Sequence, residues 1–389
     1  MNQTDLIFTR YLYVKEEVEI ALLVSILNKN DDAIFWGYEL YYSGFKNELF
    51  NIIWKIYYDF FATLNPAYEA YLRKKHKEFY IDNVDNILLV SSIIQDLFFR
   101  PFNTDVFFLR NICSQFEIDC NYHLDTEKII DIQSCHKNIT QWIQTNDYRS
   151  LAEWIINNNK DTINIIDIYS HCLDIFELTK TKLVKEFIAA IIFATDIRLN
   201  IDKNVILLAN IIQLFSKKQN LKKGKSIYIN IDHEDIVPYE TIIGTNDLKH
   251  YRVLDKACIC GINDLKYLSL FKLKRNTYNL KERYWYHWLY YASFSPLWYQ
   301  KINQYGGIID HTNKSVIFND DDSMENFYSL YGLEPDEQTQ SVQNKSIITI
   351  EKIHNWKWFY NKYKTNGLFE IWEEELEEFD IEGIPYYPF

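Results

Sequence analysis

Leu12-Tyr13-Val14-Lys15-Glu16-Glu17-Val18-Glu19-Ile20-Ala21-Leu22-Leu23-Val24-Ser25-Ile26-Leu27-Asn28-Lys29-Asn30-Asp31-Asp32 decides the fold class of this chain. Leu12, Val18, Leu22, Leu23 and Ile26 recur at helical spacing, with Lys15, Glu16 and Glu19 on the opposite side, which predicts a helix over about residues 10–29. Asn30, Asp31 and Asp32 then offer caps for a second helix running through Tyr42, and Gly44 supplies its stop. The same reading outward gives a third helix from Asn47 to Leu64, halted by Asn65 and Pro66, and a fourth from Tyr68 to Phe79. Links this short make the four helices antiparallel neighbours.

The pattern continues through Asn83–Phe99 and Thr104–Phe116, is lost in the polar stretch Glu117–Thr140, and resumes at Ser150, which forms a capping-box match with Glu153 before Leu151–Ile156. Thr162–Glu177, Lys180–Ile197 and Asn204–Lys217 complete an expected helical array over 1–220. Ten glycines and seven prolines in 389 residues agree with it, because a sheet-rich chain of this length spends far more of both on turns. Beyond Lys217 the reading changes to a smaller α+β part, 221–389. It holds a basic linker from Lys217 to Lys225, a short strand at Ile227, Ile229 and Ile231, an aromatic helix from Leu280 to Gln304, and a hairpin over Ile308–Phe318 turning at Asp310–Lys314. Asp320–Gln343 reads as an exposed loop with one short helix, Ile353–Tyr363 as a helix and Glu373–Glu382 as an acidic tail. The fold class is therefore mainly α.

A net charge of −13 argues against a surface built throughout for nucleic acid, since phosphate contacts need Lys and Arg. Met1–Arg10 has no basic segment leading into an apolar run, and the longest apolar stretches, such as Phe187–Thr195, fall short of the roughly 20 residues that span a bilayer. These features predict a soluble, intracellular protein. Its six cysteines are too sparse for a disulfide scaffold and are expected as buried thiols.

Five soft or borderline ligands, Cys113, Cys120, His123, Cys135 and His136, lie close in sequence, but only Cys120 and His123 have a knuckle-like spacing. They are carried as metal candidates, with no metal and no cofactor expected. Cys258 and Cys260 lack a second pair. Gly224-Lys225-Ser226 ends like a phosphate-binding loop, yet the earlier glycine is missing, and neither a Gly-x-Ser-x-Gly elbow nor a His-Glu-x-x-His helix occurs. The carboxylates Asp320–Asp322 and Glu373–Glu375 read as solvated, and Arg73–Lys77 as cations complementing a helix C-terminus. Lys217, Lys218, Lys222, Lys223, Lys225, Arg275 and Arg283 lie near Trp285 and form a candidate nucleic-acid surface, mixing cations with a ring on which a base can stack. With 30 Tyr, 25 Phe and 10 Trp the chain has more aromatic surface than one core needs, so protein contact is the favoured inference, with Trp36, Tyr38 and Tyr42 as core or interface anchors.

Arg10–Phe45 and Tyr331-Gly332-Leu333-Glu334-Pro335-Asp336-Glu337-Gln338 resemble uncharacterised proteins of nucleocytoplasmic large DNA viruses. That resemblance implies a viral setting: host cytoplasm, viral factory or virion. Asp31, Ala33, Phe35, Trp36, Gly44, Asp59, Asn65 and Pro66 are similar in order to the helical collar domain of clamp-loader-related AAA+ ATPases of the Werner-helicase-interacting type. Glu39, Ile53 and Trp54 stand where that family favours arginine, and no ATPase is expected before the segment. This second resemblance implies oligomerisation or replication-factor contact without ATP hydrolysis. The combined expectation is a non-enzymatic interaction or scaffold protein with viral protein partners or self-association. The alternative is a nucleic-acid-associated accessory factor.

Overall fold

A computed structural model describes residues 6–81, 86–119, 132–157, 164–218, 228–240, 281–331, 340, 344, 356–365 and 367–368. The protein is mainly helical, with a small two-stranded sheet in its C-terminal part. The first helix, α1 (Lys15–Asn28), starts later than its periodicity predicts. Before it the chain doubles back: Thr9 N donates to Tyr13 O at 2.9 Å, Lys15 N to Ile7 O at 2.9 Å, and Leu12 takes a positive φ of 61° at the turn. Leu12 belongs to the apolar stripe but not to the helix.

Helix α2 (Asp32–Tyr42) packs along α1, and its expected cap is supplied by Asn30, whose Oδ1 accepts from Asp32 N at 3.1 Å. On its other side lies α5 (Asn86–Phe98). A Cβ at Gly37 would come within 2.3 Å of Ile94 Cδ1, so glycine is what lets these two helices close on each other. Gly44 ends the unit at φ 89°, a left-handed conformation with no room for a side chain against Pro296. The single helix expected to follow is α3 (Lys46–Ile56) continued by a π turn, Tyr57–Phe61, closed by Ala62 N to Tyr57 O at 2.7 Å. Helices α4 (Tyr68–Phe79), α6 (Asp105–Asp119), α7 (Ile132–Thr145) and α8 (Tyr148–Asn157) follow. Ser150 does not cap α8 but lies inside it, its N–H donating to Asp147 Oδ1 at 3.0 Å. Asp147, three residues earlier, caps the first turn in its place and so starts the helix sooner.

Helices α9 (Ile165–Ile175), α10 (Lys180–Asp196) and α11 (Lys203–Lys218) lie close to their expected spans. Helix α11 is buried on nearly all sides, from Asn204 to Ser216, and is the centre around which α6, α8, α9 and α10 pack. The strand expected at 227–231 is not formed by residues 228–231. Side chains of α5 hold that segment in place of a ladder: Ile229 N donates to Asp96 Oδ1 and Ser92 Oγ to Ile229 O, both at 2.9 Å. It leads into α12 (His233–Ile236) and a 3-10 turn, Val237–Tyr239.

The expected aromatic helix is broken into a π turn, Glu282–Tyr286, then α13 (Trp288–Ala292) and α14 (Pro296–Gln304). Pro296 lacks the N–H an interior position needs, while Ser295 Oγ accepts from Trp298 N at 3.2 Å and starts α14 afresh. The hairpin forms as read: β1 (Gly307–Asp310) pairs antiparallel with β2 (Ser315–Phe318), and Asp310 Oδ1 accepts from Thr312 N and Asn313 N at the turn. Helices α15 (Asp321–Tyr331) and α16 (Trp356–Tyr363) complete the described elements. The acidic tail and the residues nearest the expected boundary at 220 lie outside them.

Buried residues from both sides of position 220 share one core. Trp298 Nε1 donates to Thr9 O at 3.1 Å, and Leu297 N to Ser43 O at 3.2 Å. Arg10 and Glu39 form a fully buried ion pair, Nε to Oε2 at 2.7 Å, and Arg10 Nη1 reaches Tyr239 O at 3.0 Å. Glu39 and Trp54, which depart from the collar pattern, thus have structural partners of their own. Trp54 Nε1 donates to the buried His76 Nδ1 at 2.9 Å, so His76 is a core acceptor and not one of the helix-terminal cations its neighbours predict.

Candidate functional site

Two surface features combine chemistry with a rigid frame. The first is the outer face of the hairpin. Side chains alternate across a strand, so Ile309, Val316 and Phe318 pack on the core while the register partners Ile308 and Ile317 point outward together, 61% and 55% exposed. The hairpin is held from beneath: His287 Nδ1 donates to Lys314 O at 2.8 Å, and Tyr290 Oη lies 3.3 Å from His311 Nδ1. The chain after β2 adds exposed Met324 and the acidic residues Asp320, Asp321, Asp322 and Glu325. An apolar pair beside a carboxylate cluster results.

The second feature is a cleft of about 270 Å³ between the π turn of α3 and helices α4, α9, α10 and α11. Tyr57 and Tyr58 come from the π turn, Glu69 from α4, Tyr169 from α9, Lys182, Glu186 and Phe187 from α10, and Asn210 and Gln213 from α11. The wider π turn reorients consecutive side chains relative to an α-helix, and such turns recur at functional sites. Burial raises the hydroxyls of Tyr57 and Tyr58 well above the usual phenol range, so both stay neutral. Glu69 is pushed up to about 7, chiefly by burial, against the opposing pull of Arg73, with Glu186 adding repulsion. Its Oε2 accepts from Arg73 Nη2 at 3.1 Å, and its Oε1 is buried with no hydrogen-bond partner.

The residues singled out by sequence are dispersed among other roles. Trp36 and Tyr38 are fully buried, and Tyr38 Oη donates to Ile87 O at 3.0 Å. Tyr42 is half-buried with the Arg10 guanidinium 4.6 Å over its ring. All three pack in the core in this fold. Lys217 and Lys218 are exposed in the last turn of α11. Arg283 lies 5.7 Å from the Tyr291 ring, and Trp285 is partly buried with Lys281 Nζ 4.4 Å from its ring, so both are engaged inside the protein. Lys222, Lys223, Lys225 and Arg275 lie outside the described residues. Cys113 and Cys135 are buried thiols, Cys113 raised to about 12 chiefly by burial, while His136 faces Asp167 at 2.9 Å and stacks on His171. Cys120 and His123 lie outside the described residues, among which no group of three or more His, Cys, Asp or Glu is placed to hold a metal. No described helix is long and apolar enough to cross a membrane.

The chain matches no protein-family model, no curated protein and no solved structure. Glu69 carried no signal in the sequence. Its i,i+4 pairing with Arg73 is the commonest arrangement on a solvated helix, and only the packing of α10 over α4 buries it.

Proposed function

We propose that the protein is a non-enzymatic interaction protein that docks a partner segment carrying apolar and basic residues on the outer face of its β-hairpin. The observation that carries this reading is the exposed Ile308–Ile317 pair on a hairpin locked to α13. A preorganised apolar surface loses little conformational entropy when a partner covers it. The adjacent Asp320, Asp321, Asp322 and Glu325 set the partner's charge, because complementary charges steer encounter and fix register. The setting belongs to the proposal too: the virion or the replication and transcription machinery of a large DNA virus, as the resemblance of residues 10–45 and 331–338 implies.

The test is affinity purification of the tagged full-length protein from its native cells at two salt concentrations, with and without nuclease. Wild type is compared with Ile308→Asp/Ile317→Asp and with Ile192→Asp, an equally exposed control on α10. Nuclease-resistant partners retained by the control and lost by the hairpin variant support the reading. Partners indifferent to the hairpin variant refute it, as does recovery of nucleic acid alone, lost at high salt.

A further inference from the structure

We propose that the cleft beside the π turn binds a small organic amine, its ammonium group held by Glu69 and Glu186 among the rings of Tyr57, Tyr58, Tyr169 and Phe187. This site is independent of the hairpin surface.

The charge inventory of the cleft selects a cation. Two carboxyls line it, Glu69 and Glu186, against one basic side chain, Lys182. Lys182 is 86% exposed and its contact with Glu186 is 3.8 Å, a screened pair that an incoming cation displaces at little cost. Arg73 does not line the cleft and is committed to Glu69 Oε2. Above about pH 7 an anion meets two carboxylates, and a neutral apolar molecule leaves the buried Glu69 Oε1 without a donor, an omission that costs about 1–3 kcal/mol. The terminal torsion of glutamate is broad, so a small rotation turns either oxygen toward the cleft.

The walls suit the same ligand. Aromatic ring faces attract an ammonium group most strongly where water is excluded, and the phenols of Tyr57, Tyr58 and Tyr169, all raised by burial, keep their protons and compete for none of the charge. The alanines at 62, 67, 70, 190 and 209 leave room for a short aliphatic stem, and the volume of about 270 Å³ fits a ligand of few heavy atoms.

Proton linkage follows from the groups that face Glu69: Arg73 on its own helix, Tyr57 and Tyr58 on the π turn, and Glu186 and Lys182 on α10. Glu69 keeps its proton up to about pH 7, and an ammonium favours the ionised form, so binding releases a proton and tightens as pH rises. If only ionised Glu69 accepts the amine, affinity rises about 30-fold between pH 5.5 and 8 for a carboxyl titrating at about 7.

The experiment is calorimetric titration of the full-length protein with butylamine, 1-butanol and butyrate. Butylamine is expected to bind at pH 8 at least about tenfold more tightly than either isostere, to weaken about 30-fold at pH 5.5, and to release a proton in buffers of differing ionisation enthalpy. Ala70→Lys, an exposed position at the mouth, is expected to abolish binding in a folded protein, and Glu69→Gln to remove the pH dependence. Equal binding of the three probes overturns the proposal, as does no binding of butylamine at millimolar concentration, which would assign the Glu69 oxygen to a buried water. Unchanged affinity in Ala70→Lys overturns it as well, by placing the amine elsewhere.

Discussion

Replacing Asp105 with asparagine is expected to stabilise the protein at neutral and alkaline pH while leaving it nearly unchanged in acid. Asp105 opens α6, is almost fully buried, and is raised from 3.8 to about 7 by that burial, with the Leu368 N–H pulling the other way. The folded protein holds the carboxyl proton up to about pH 7, whereas the unfolded chain releases it near 3.8. Stability therefore falls as pH rises between those values and stays level above them. At about 1.4 kcal/mol per pH unit, the interval from 3.8 to about 7 amounts to about 4 kcal/mol. Asparagine has the same shape, does not ionise, and still offers an oxygen to Leu368 N, now 3.1–3.2 Å from both carboxylate oxygens. Its new amide donor also has an acceptor waiting, because Asn103 Oδ1 is buried without a partner while Asn103 Nδ2 lies 3.0 Å from Asp105 Oδ2. Turning over the Asn103 amide pairs that donor with Asn103 Oδ1 and moves Asn103 Nδ2 to where the oxygen stood, so the number of unpartnered atoms does not rise. Urea unfolding of wild type and Asp105→Asn at pH 4 and pH 8 should show the difference growing from within about 1 kcal/mol to about 4 kcal/mol. The other raised carboxyls, Glu69 and Asp96, are common to both proteins and cancel. A difference independent of pH, or a variant destabilised throughout, would refute the reasoning.

His76 is depressed to about 4 by burial, so its contribution is complete above 6.5 and lost as pH falls from 6.5 toward 4; an NMR titration should find its ring neutral down to about pH 4. Gly44→Ala should cost about 2 kcal/mol or more in urea unfolding, since it adds a Cβ at φ 89° and 2.6 Å from Pro296 Cβ. Arg10→Met should destabilise by about 3–5 kcal/mol by stranding Glu39, and Arg10→Met/Glu39→Leu should recover much of that loss; a double variant no better than the single would show that the pair is not the unit of stability.

Local patterns carried the helical spans well, because the apolar period of α9, α10 and α11 is set by residues a turn apart. The hairpin was equally legible, since Asp310 makes its turn with its own neighbours. Errors arose where a distant partner intervened. Ile227, Ile229 and Ile231 alternate like a strand, yet Ser92 and Asp96 supply the hydrogen bonds a strand would have given to Ile229. Leu12 keeps helical spacing but is turned out of α1 by the doubling back of residues 7–15. The candidate surfaces divide in the same way. The sequence placed a hairpin over Ile308–Phe318, but the pairing of Ile308 with Ile317 and their exposure came from the register and the packing beneath. What the sequence determined by itself is the succession of helices and turns, because those depend on hydrogen bonds and apolar spacing within a few residues. The tertiary structure decided which polar groups were sealed from water, Glu39, His76 and Asp105 among them, and which, like Glu69, were left only partly exposed. Desolvation depends on everything packed around a group, and no window of neighbouring residues contains that information.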